Sequence, residues 1–501
     1  MFHMGNRTNY ERGMYKHLQK VMLELENTKE ELRKERQDHK KELKVLTIQI
    51  EQLMKENTLL RNEVARLRSI INNDSSNSSL PPSSDQKHVK PANMYNGRTK
   101  TERHAGGQVS RKGTTLTKKE VEEKLRTGKC KHEIKTIGNP STGKYISKYV
   151  VDLRIDNVIT EIRIYADEDG KIRIPQEYHS DVTYGEVVKA LAVTLYGEGV
   201  MSNDRIASFL NAMGEGVLNL SEGSIYNFCK KLADISEESI SNLESELLNQ
   251  PIVATDATTV TVNGKQSYIR NFSIPNTVVY HAMESKSIDA LKEIDFLPKY
   301  NGILLHDHET ALYRFGLDHV ECNVHLLRYL RKNSEETHSK WSDEMISLLC
   351  EINNKRKSLL EQNTFNFSKE VIQEYEQKYF SLLQKGRKEN ENTLHSYAKS
   401  YERTLLNRLE KYSHNHLMFI RDFSVPFDNN ISERDLRKAK NRQKMAGGFR
   451  KKSGHKMYCA ILTIIETLKR RSMGIVENIK LLFRGAPAIF SRGFLRCSLE
   501  G

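Results

Sequence analysis

The sequence has little material for covalent cross-links. Its six cysteines, Cys130, Cys229, Cys322, Cys350, Cys459 and Cys497, are scattered over 501 residues with no pair in Cys-x-x-Cys spacing. This excludes a disulfide framework and the usual structural zinc site. No apolar run approaches the ~20 residues that span a bilayer, and the N-terminus lacks the apolar core of a secretory signal. The expectation is a cytoplasmic protein with no membrane partner. What the chain has in excess is positive charge: 79 Lys and Arg against 65 Asp and Glu, a formal +14. Such a balance favours a polyanionic partner, and nucleic acid is the usual one.

The first long element reads as a coiled coil over residues 15–72, after a disordered start at 1–14. Leu43, Leu46, Ile50, Leu53, Asn57, Leu60, Val64, Leu67 and Ile71 recur in steps of three and four, which puts them at heptad positions a and d. Asn57 at an a position favours a parallel dimer in fixed register. The alternative is a long amphipathic helix packed within its own chain. Residues 73–118 read as a flexible basic linker, rich in Ser, Asn, Pro and Gly. Residues 119–180 alternate in the manner of a small β-rich module, with strands at 145–155 and 158–165. Residues 181–248 are helical. Ser202 and Ser221 start two helices there, which allows a helix-turn-helix, although the 214–220 connection exceeds the roughly three or four residues usual for that motif.

From Pro251 the pattern turns to β-branched runs: a three-strand meander over 252–283, then a buried-type run, Gly302 to His306, ending at Asp307. Strands followed by alternating strands and helices indicate a mixed α/β sheet. Asp256 lies inside the first strand, where an ionised carboxylate is costly unless compensated. If the first and fourth strands are neighbours, Asp256 and Asp307 come together, and their repulsion calls for a cation such as Mg²⁺. Asp307 alternatively caps a short helix. A third candidate, Glu433, follows Pro426 and Asn429-Asn430. Asn430 and Glu433 also fit an N-terminal capping box. Beyond Glu433, residues 431–471 carry thirteen basic and three acidic side chains. The group includes Arg434, Arg437, Lys438, Lys440, Arg442, Lys444, Arg450, Lys451 and Lys452, and reads as a phosphate-binding surface.

These blocks resemble the insertion sequence 66 family of transposases. The resemblance covers Asn77 to Asp85 (NSSLPPSSD), Gly106-Gly107-Gln108 through Leu116, Asp256, and His306-Asp307 with Cys322-Asn323-Val324-His325. It continues through Pro426–Arg437, Gly448-Phe449 and Ser453-Gly454. It implies an α/β, ribonuclease H-like core in two parts (249–325 and 426–472) around a helical insertion (326–425), with a C-terminal tail at 473–501. It also implies an Asp-Asp-Glu catalytic site of Asp256, Asp307 and Glu433 holding two Mg²⁺ or Mn²⁺ ions. Cys322 and His325 have ligand spacing but are too few for a structural zinc site; they read as scaffold together with Asn429 and Asn430, with metal ligation by the first two as the alternative. The implied partners are the element's terminal inverted repeats, target DNA, a second copy of the chain and accessory proteins of the same element, in a bacterial, nucleoid-associated setting. The alternative on the same scaffold is a catalytically inactive DNA-binding protein. The chain departs from the family pattern in two places. Ala257, Thr258, Thr259 and Val260 follow the first aspartate where Glu-Thr and an aromatic are usual. Of the family's two Cys pairs only Cys130 remains, with His132 nearby, too few ligands for zinc on this reading.

Overall fold

The sheet grows outward from one hairpin. Asn263 and Gly264 both take positive φ (49° and 73°), the two-residue turn whose twist matches that of its flanking strands. The strands it joins are β1 (Ile252–Val262) and β2 (Lys265–Ile274), followed by β3 (Thr277–Met283), β4 (Ile303–His306) and β5 (Asp318–Glu321). The spatial order is β3-β2-β1-β4-β5. The β1–β2 and β2–β3 pairs are antiparallel, and β1–β4 and β4–β5 are parallel. The fold is therefore mixed α/β, as expected. This computed structural model describes residues 9–73, 116–128, 130–137, 143, 146–175, 178–486 and 489–490.

In chain order the α-helices begin with α1 (Asn9–Ile71), α2 (Lys118–Arg126), α3 (Glu186–Gly197), α4 (Asn203–Met213), α5 (Glu222–Ile235), α6 (Glu237–Leu248) and α7 (Ile288–Lys292). They continue with α8 (Asn323–Thr337), α9 (Lys340–Glu361), α10 (Lys369–Glu391), α11 (Ser396–Lys411), α12 (Ser413–Arg421), α13 (Asn430–Asp435), α14 (Arg437–Ala446), α15 (Lys452–Arg470) and α16 (Ile475–Phe483). The described residues divide into two compact units: a helical one (within 9–73, 325–358 and 367–413) and one containing the sheet (within 116–324, 359–366 and 414–490).

In the sheet unit α15 closes the exposed edge of β3. Thr467 Oγ1 accepts from the Val278 N–H at 3.2 Å and Thr463 Oγ1 from the Tyr280 N–H at 3.0 Å. Four helical residues rise about 6 Å and two strand residues about 6.6 Å, so hydroxyls at i and i+4 meet alternate edge amides. A bare edge would otherwise invite pairing with another chain. The apolar face of α15, including Ile461, Ile465 and Leu468, joins α3, α5 and the sheet in one core. The segment expected as a separate helical module, 181–248, thus shares the core of the sheet. Ser221 caps α5 through Ser224 N at 3.1 Å, while Ser202 stands at the N-cap of α4 without a side-chain bond to a helix N–H.

In the helical unit Glu402, fully buried, anchors α11. It accepts from Trp341 Nε1 (2.7 Å), Asn333 Nδ2 (3.1 Å), Asn390 Nδ2 (2.9 Å) and Thr393 Oγ1 (2.8 Å). The last turns of α1 dock on α11, where Asn62 Oδ1 accepts from Ser396 N at 3.2 Å and Ser69 Oγ meets Tyr397 OH at 3.4 Å. The residues covered on α1 are Asn62, Ala65 and Ser69, with Asn73 just beyond its end. The a/d stripe lies on another side of the helix, and its Leu46, Leu53 and Leu60 are exposed.

Three expectations are corrected. Residues 9–14, expected disordered, are the first turns of α1, whereas 1–8 lie outside the described residues, as does most of the 73–118 linker with its NSSLPPSSD and Gly-Gly-Gln blocks. No strand forms among the described residues of 119–180. Alternation alone makes no sheet without a partner strand and a covering layer, and Val150, Val158 and Ile159 are at least 80% exposed. The segment instead opens with α2, whose Thr117–Glu120 capping box is a sequence signal that the alternation obscured. Finally, the described part of 473–501 is more than a tail: α16 buries Asn478, Ile479 and Leu482. No described helix is long and apolar enough to cross a membrane.

Candidate active site

The three carboxylates singled out from the sequence stand at different places in their elements: Asp256 inside β1, Asp307 just past the end of β4 and Glu433 in the first turn of α13. The parallel pairing of β1 with β4 runs Ile252↔Ile303, Val253↔Leu304, Ala254↔Leu305. Asp256 and Asp307 both lie two residues beyond the last of these pairs, on strands about 4.8 Å apart. The adjacency of the first and fourth strands assumed from the sequence is therefore present. Both aspartates are half-buried, as is Glu433 in the first turn of α13. The capping box that Asn430 and Glu433 would allow is not made. Asn429 is the N-cap residue, and its side chain makes no cap bond.

Asn429 instead ties the three blocks together. Its Nδ2 donates to Thr255 O (2.9 Å), next to Asp256. Its backbone N–H donates to Cys322 Sγ (3.2 Å), and the Cys322 N–H donates to His306 O (3.0 Å), next to Asp307. Asn429 is fully buried, so these contacts form in a low dielectric, where directed hydrogen bonds are strong. Two further residues that the sequence did not single out reinforce the site. Arg270 on β2, also fully buried, pairs with Glu309, two residues past Asp307, and its Nη1 donates to Thr255 Oγ1 at 3.1 Å. Asn271 stands opposite Asp256 in the β1–β2 register. Neither lies in a recognisable motif; the only available signal was a polar pair, Arg270-Asn271, in a strand otherwise apolar toward its end.

The electrostatics around Asp307 are set by its neighbours. Burial pushes the Glu309 carboxyl up, but Arg270 and Lys286 (Nζ at 3.3 Å) outweigh it and hold the pKa below its usual value. His306 and His319, whose rings meet at 3.1 Å, are depressed by burial, His319 to about 4. Glu321, buried at the end of β5, receives His308 Nδ1 (2.8 Å), His416 Nε2 (3.1 Å) and the Tyr313 hydroxyl. Cys322, expected as scaffold, is buried and bonded to Asn429 as described. Among the described residues Asp307, Cys322 and His325, the last in the first turn of α8, offer ligand atoms within 4.8 Å of one another. Hard oxygen donors suit Mg²⁺, whereas sulfur and imidazole suit a softer ion. Asp256 and Glu433 do not belong to that tight group.

The basic residues divide in two. Arg434, Arg437, Lys444, Arg450, Lys451 and Lys452 are exposed and Lys440 is half-buried. Lys438 is ion-paired with Glu198 and Glu466. Arg442 stacks on Tyr196, 4.5 Å from the ring centre, and donates to Met201 O at 3.0 Å. These two are therefore engaged within the fold. The loop after α14 is fixed at Gly448, whose φ is 137° and where a Cβ would meet Thr261 O at 2.5 Å. Phe449 N–H donates to that same oxygen at 2.7 Å. Gly448→Ala is expected to cost roughly 1–3 kcal/mol, visible as a lower urea midpoint with an unchanged m-value.

No curated protein matches the chain. The family model described as the transposase IS66 family matches residues 182–457, a span that runs from α3 through all five strands to the start of α15 and holds all three carboxylates. Because that span is more than half of the molecule, the chain belongs to the IS66 family of transposases.

Proposed function

We propose that the chain is a DNA transposase that cuts DNA at the ends of its element and joins them to a target, using Asp256, Asp307 and Glu433 on a ribonuclease H-like scaffold. The observation that carries this reading is that Asp256 and Asp307 each lie two residues beyond the last pair of the adjacent parallel segments β1 and β4, with the helix of Glu433 bonded to β1 beside Asp256 through Asn429. The strand order, and the helices inserted between Asp307 and Glu433, support the scaffold assignment. Three half-buried carboxylates are a donor set that fits Mg²⁺ or Mn²⁺. Two such ions, when bound, would activate the attacking oxygen and neutralise charge on the leaving one. The chain's own part is to hold its carboxylates in place. Asn429, Asn271 and Arg270 do so from beneath, and Asn429 and Asn271 keep bonds to backbone atoms that survive changes in side-chain protonation. Arg434, Arg437, Lys444, Arg450, Lys451 and Lys452 would grip phosphates beside the site, with Lys440 at its margin. The test is cleavage of the element's terminal repeats with and without Mg²⁺ by wild type and Glu433→Gln. The reading requires metal-dependent strand cleavage in the first and none in the second; metal-independent DNA binding without cleavage would favour the inactive alternative.

The exposed a/d stripe of α1 supports a parallel dimer through which two element ends are held together. Docking on α11 uses a different side of the helix, so both contacts can form at once. The double variant Leu46→Asp, Leu53→Asp is expected to be monomeric by light scattering, with the melting of the helical unit unchanged. A dimer that persists would place the self-association elsewhere.

A further inference from the structure

We infer that Asn271 is a positioning residue that sets the distance between Asp256 and Glu433, and through it the affinity of the site for divalent cations; this rests on the reading just given. Asn271 is directly opposite Asp256 across the antiparallel β1–β2 pair, so both side chains stand on one face of the sheet. It is fully buried. Its Oδ1 accepts from the Asp256 N–H at 3.1 Å. Its Nδ2 donates to the carbonyl of Ser432, the residue before Glu433, at 3.1 Å, and to Ser273 Oγ at 3.1 Å. One planar amide thus joins the backbone at the first carboxylate to the backbone at the third.

Only an amide side chain supplies that acceptor and those two donors together at this length. An aspartate has no donor for Ser432 when ionised, and a leucine has neither function. The need for such a bolt follows from the length of α13. Six residues are too few to hold a helical geometry unaided. Other bonds to α13 grip its far end: Ser273 Oγ donates to Asp435 at 2.6 Å, Tyr280 OH to Asp435 O at 3.1 Å, and Arg470 pairs with Asp435. The Asn271 bond grips the turn that carries Glu433. Asn271 touches neither carboxylate in this scheme, so its effect is on where they stand.

The test titrates Mn²⁺ into full-length protein by calorimetry, and Mg²⁺ into end-cleavage assays, for wild type, Asn271→Ala, Asn271→Ser, Ser273→Ala and Asp307→Ala. Asn271→Ala is expected to weaken Mn²⁺ binding, and to raise the Mg²⁺ needed for half-maximal cleavage, by about 10–100-fold, the usual effect of losing a residue that orients a ligand. Binding of DNA ends without metal should change less than about twofold. Ser273→Ala removes a bond of the same buried row but leaves the Asp256–Ser432 bridge, so it should lower the melting temperature without moving the metal requirement. Equal metal affinity in Asn271→Ala and wild type overturns the inference. So does a failure of both Asn271→Ala and Asn271→Ser to fold, since Asn271 would then be a residue of the fold alone. Wild type that binds no more Mn²⁺ than Asp307→Ala sinks the metal-site reading itself, a result distinct from either.

Discussion

Asp307→Ala is expected to abolish Mg²⁺-dependent strand cleavage while leaving the protein folded and able to bind DNA ends. Asp307 stands just past the end of β4, half-buried, and like Asp256 lies two residues beyond the last β1–β4 pair. On the proposed reading, removing its carboxylate takes away one hard oxygen ligand of the metal site. The loss of metal-assisted stabilisation is several kcal/mol, on the order of 10³-fold or more in rate at about 1.4 kcal/mol per decade. The fold should tolerate the change, because the segment after Asp307 is held by the buried Arg270–Glu309 pair and β4 by its ladders to β1 and β5. The measurement is single-turnover cleavage of a labelled terminal repeat, beside a mobility-shift assay without metal. Cleavage that survives in Asp307→Ala would remove this residue from the chemistry. The same assay on wild type decides between an active enzyme and a DNA-binding relative that has lost catalysis.

The second large effect is on stability, in the helical unit. Glu402→Ala strips the acceptor from three buried donors, the Trp341 indole and two asparagine amides, and from the half-buried Thr393 hydroxyl. Each orphaned buried donor costs roughly 1–3 kcal/mol, and some relax toward other partners, so a net loss on the order of 4 kcal/mol is expected. The quenching and spectral shift of Trp341, the only tryptophan, report it directly during denaturant unfolding. A midpoint unchanged from wild type would show that the network contributes little. The pH dependence follows from the same contacts. Burial pushes the Glu402 carboxyl up, but the donors from Asn390, Trp341, Thr393 and Asn333 outweigh it and hold its pKa below the ordinary 4.5. A group with a depressed folded pKa stabilises above its unfolded pKa and loses that contribution as pH falls through the folded value. The helical unit should therefore lose stability below about pH 4.5 in wild type, and the loss should be shallower in Glu402→Gln.

Much of the candidate site was legible in the chain because its parts are local. β-Branched residues around Asp256, the apolar run before Asp307 and the Pro-Asn-Asn break before Glu433 are each contained within a few residues, and the order in which they occur identifies the family. The hairpin turn at Asn263-Gly264 and the heptads of α1 are local as well, since their periodicities are properties of a single element. The strand pattern in 119–180 misled for the converse reason: alternation is necessary for a sheet, but pairing and cover come from elsewhere in the chain.

The sequence by itself determined which carboxylates to consider, the mixed α/β class, the excess of positive charge after Glu433 and the long N-terminal helix. Only the tertiary structure decided that Asp256 and Asp307 each lie two residues past the last pair of two neighbouring strands, and that Asn429 reaches Thr255 instead of capping its own helix. It also turned Lys438 and Arg442 inward and put Arg270 and Asn271 beneath the site. The physical reason is the same throughout. Each of these facts is a hydrogen bond or ion pair between residues far apart in the chain, such as Asn271 and Ser432, and a side chain with several possible partners is committed to one only when burial makes leaving it unsatisfied costly.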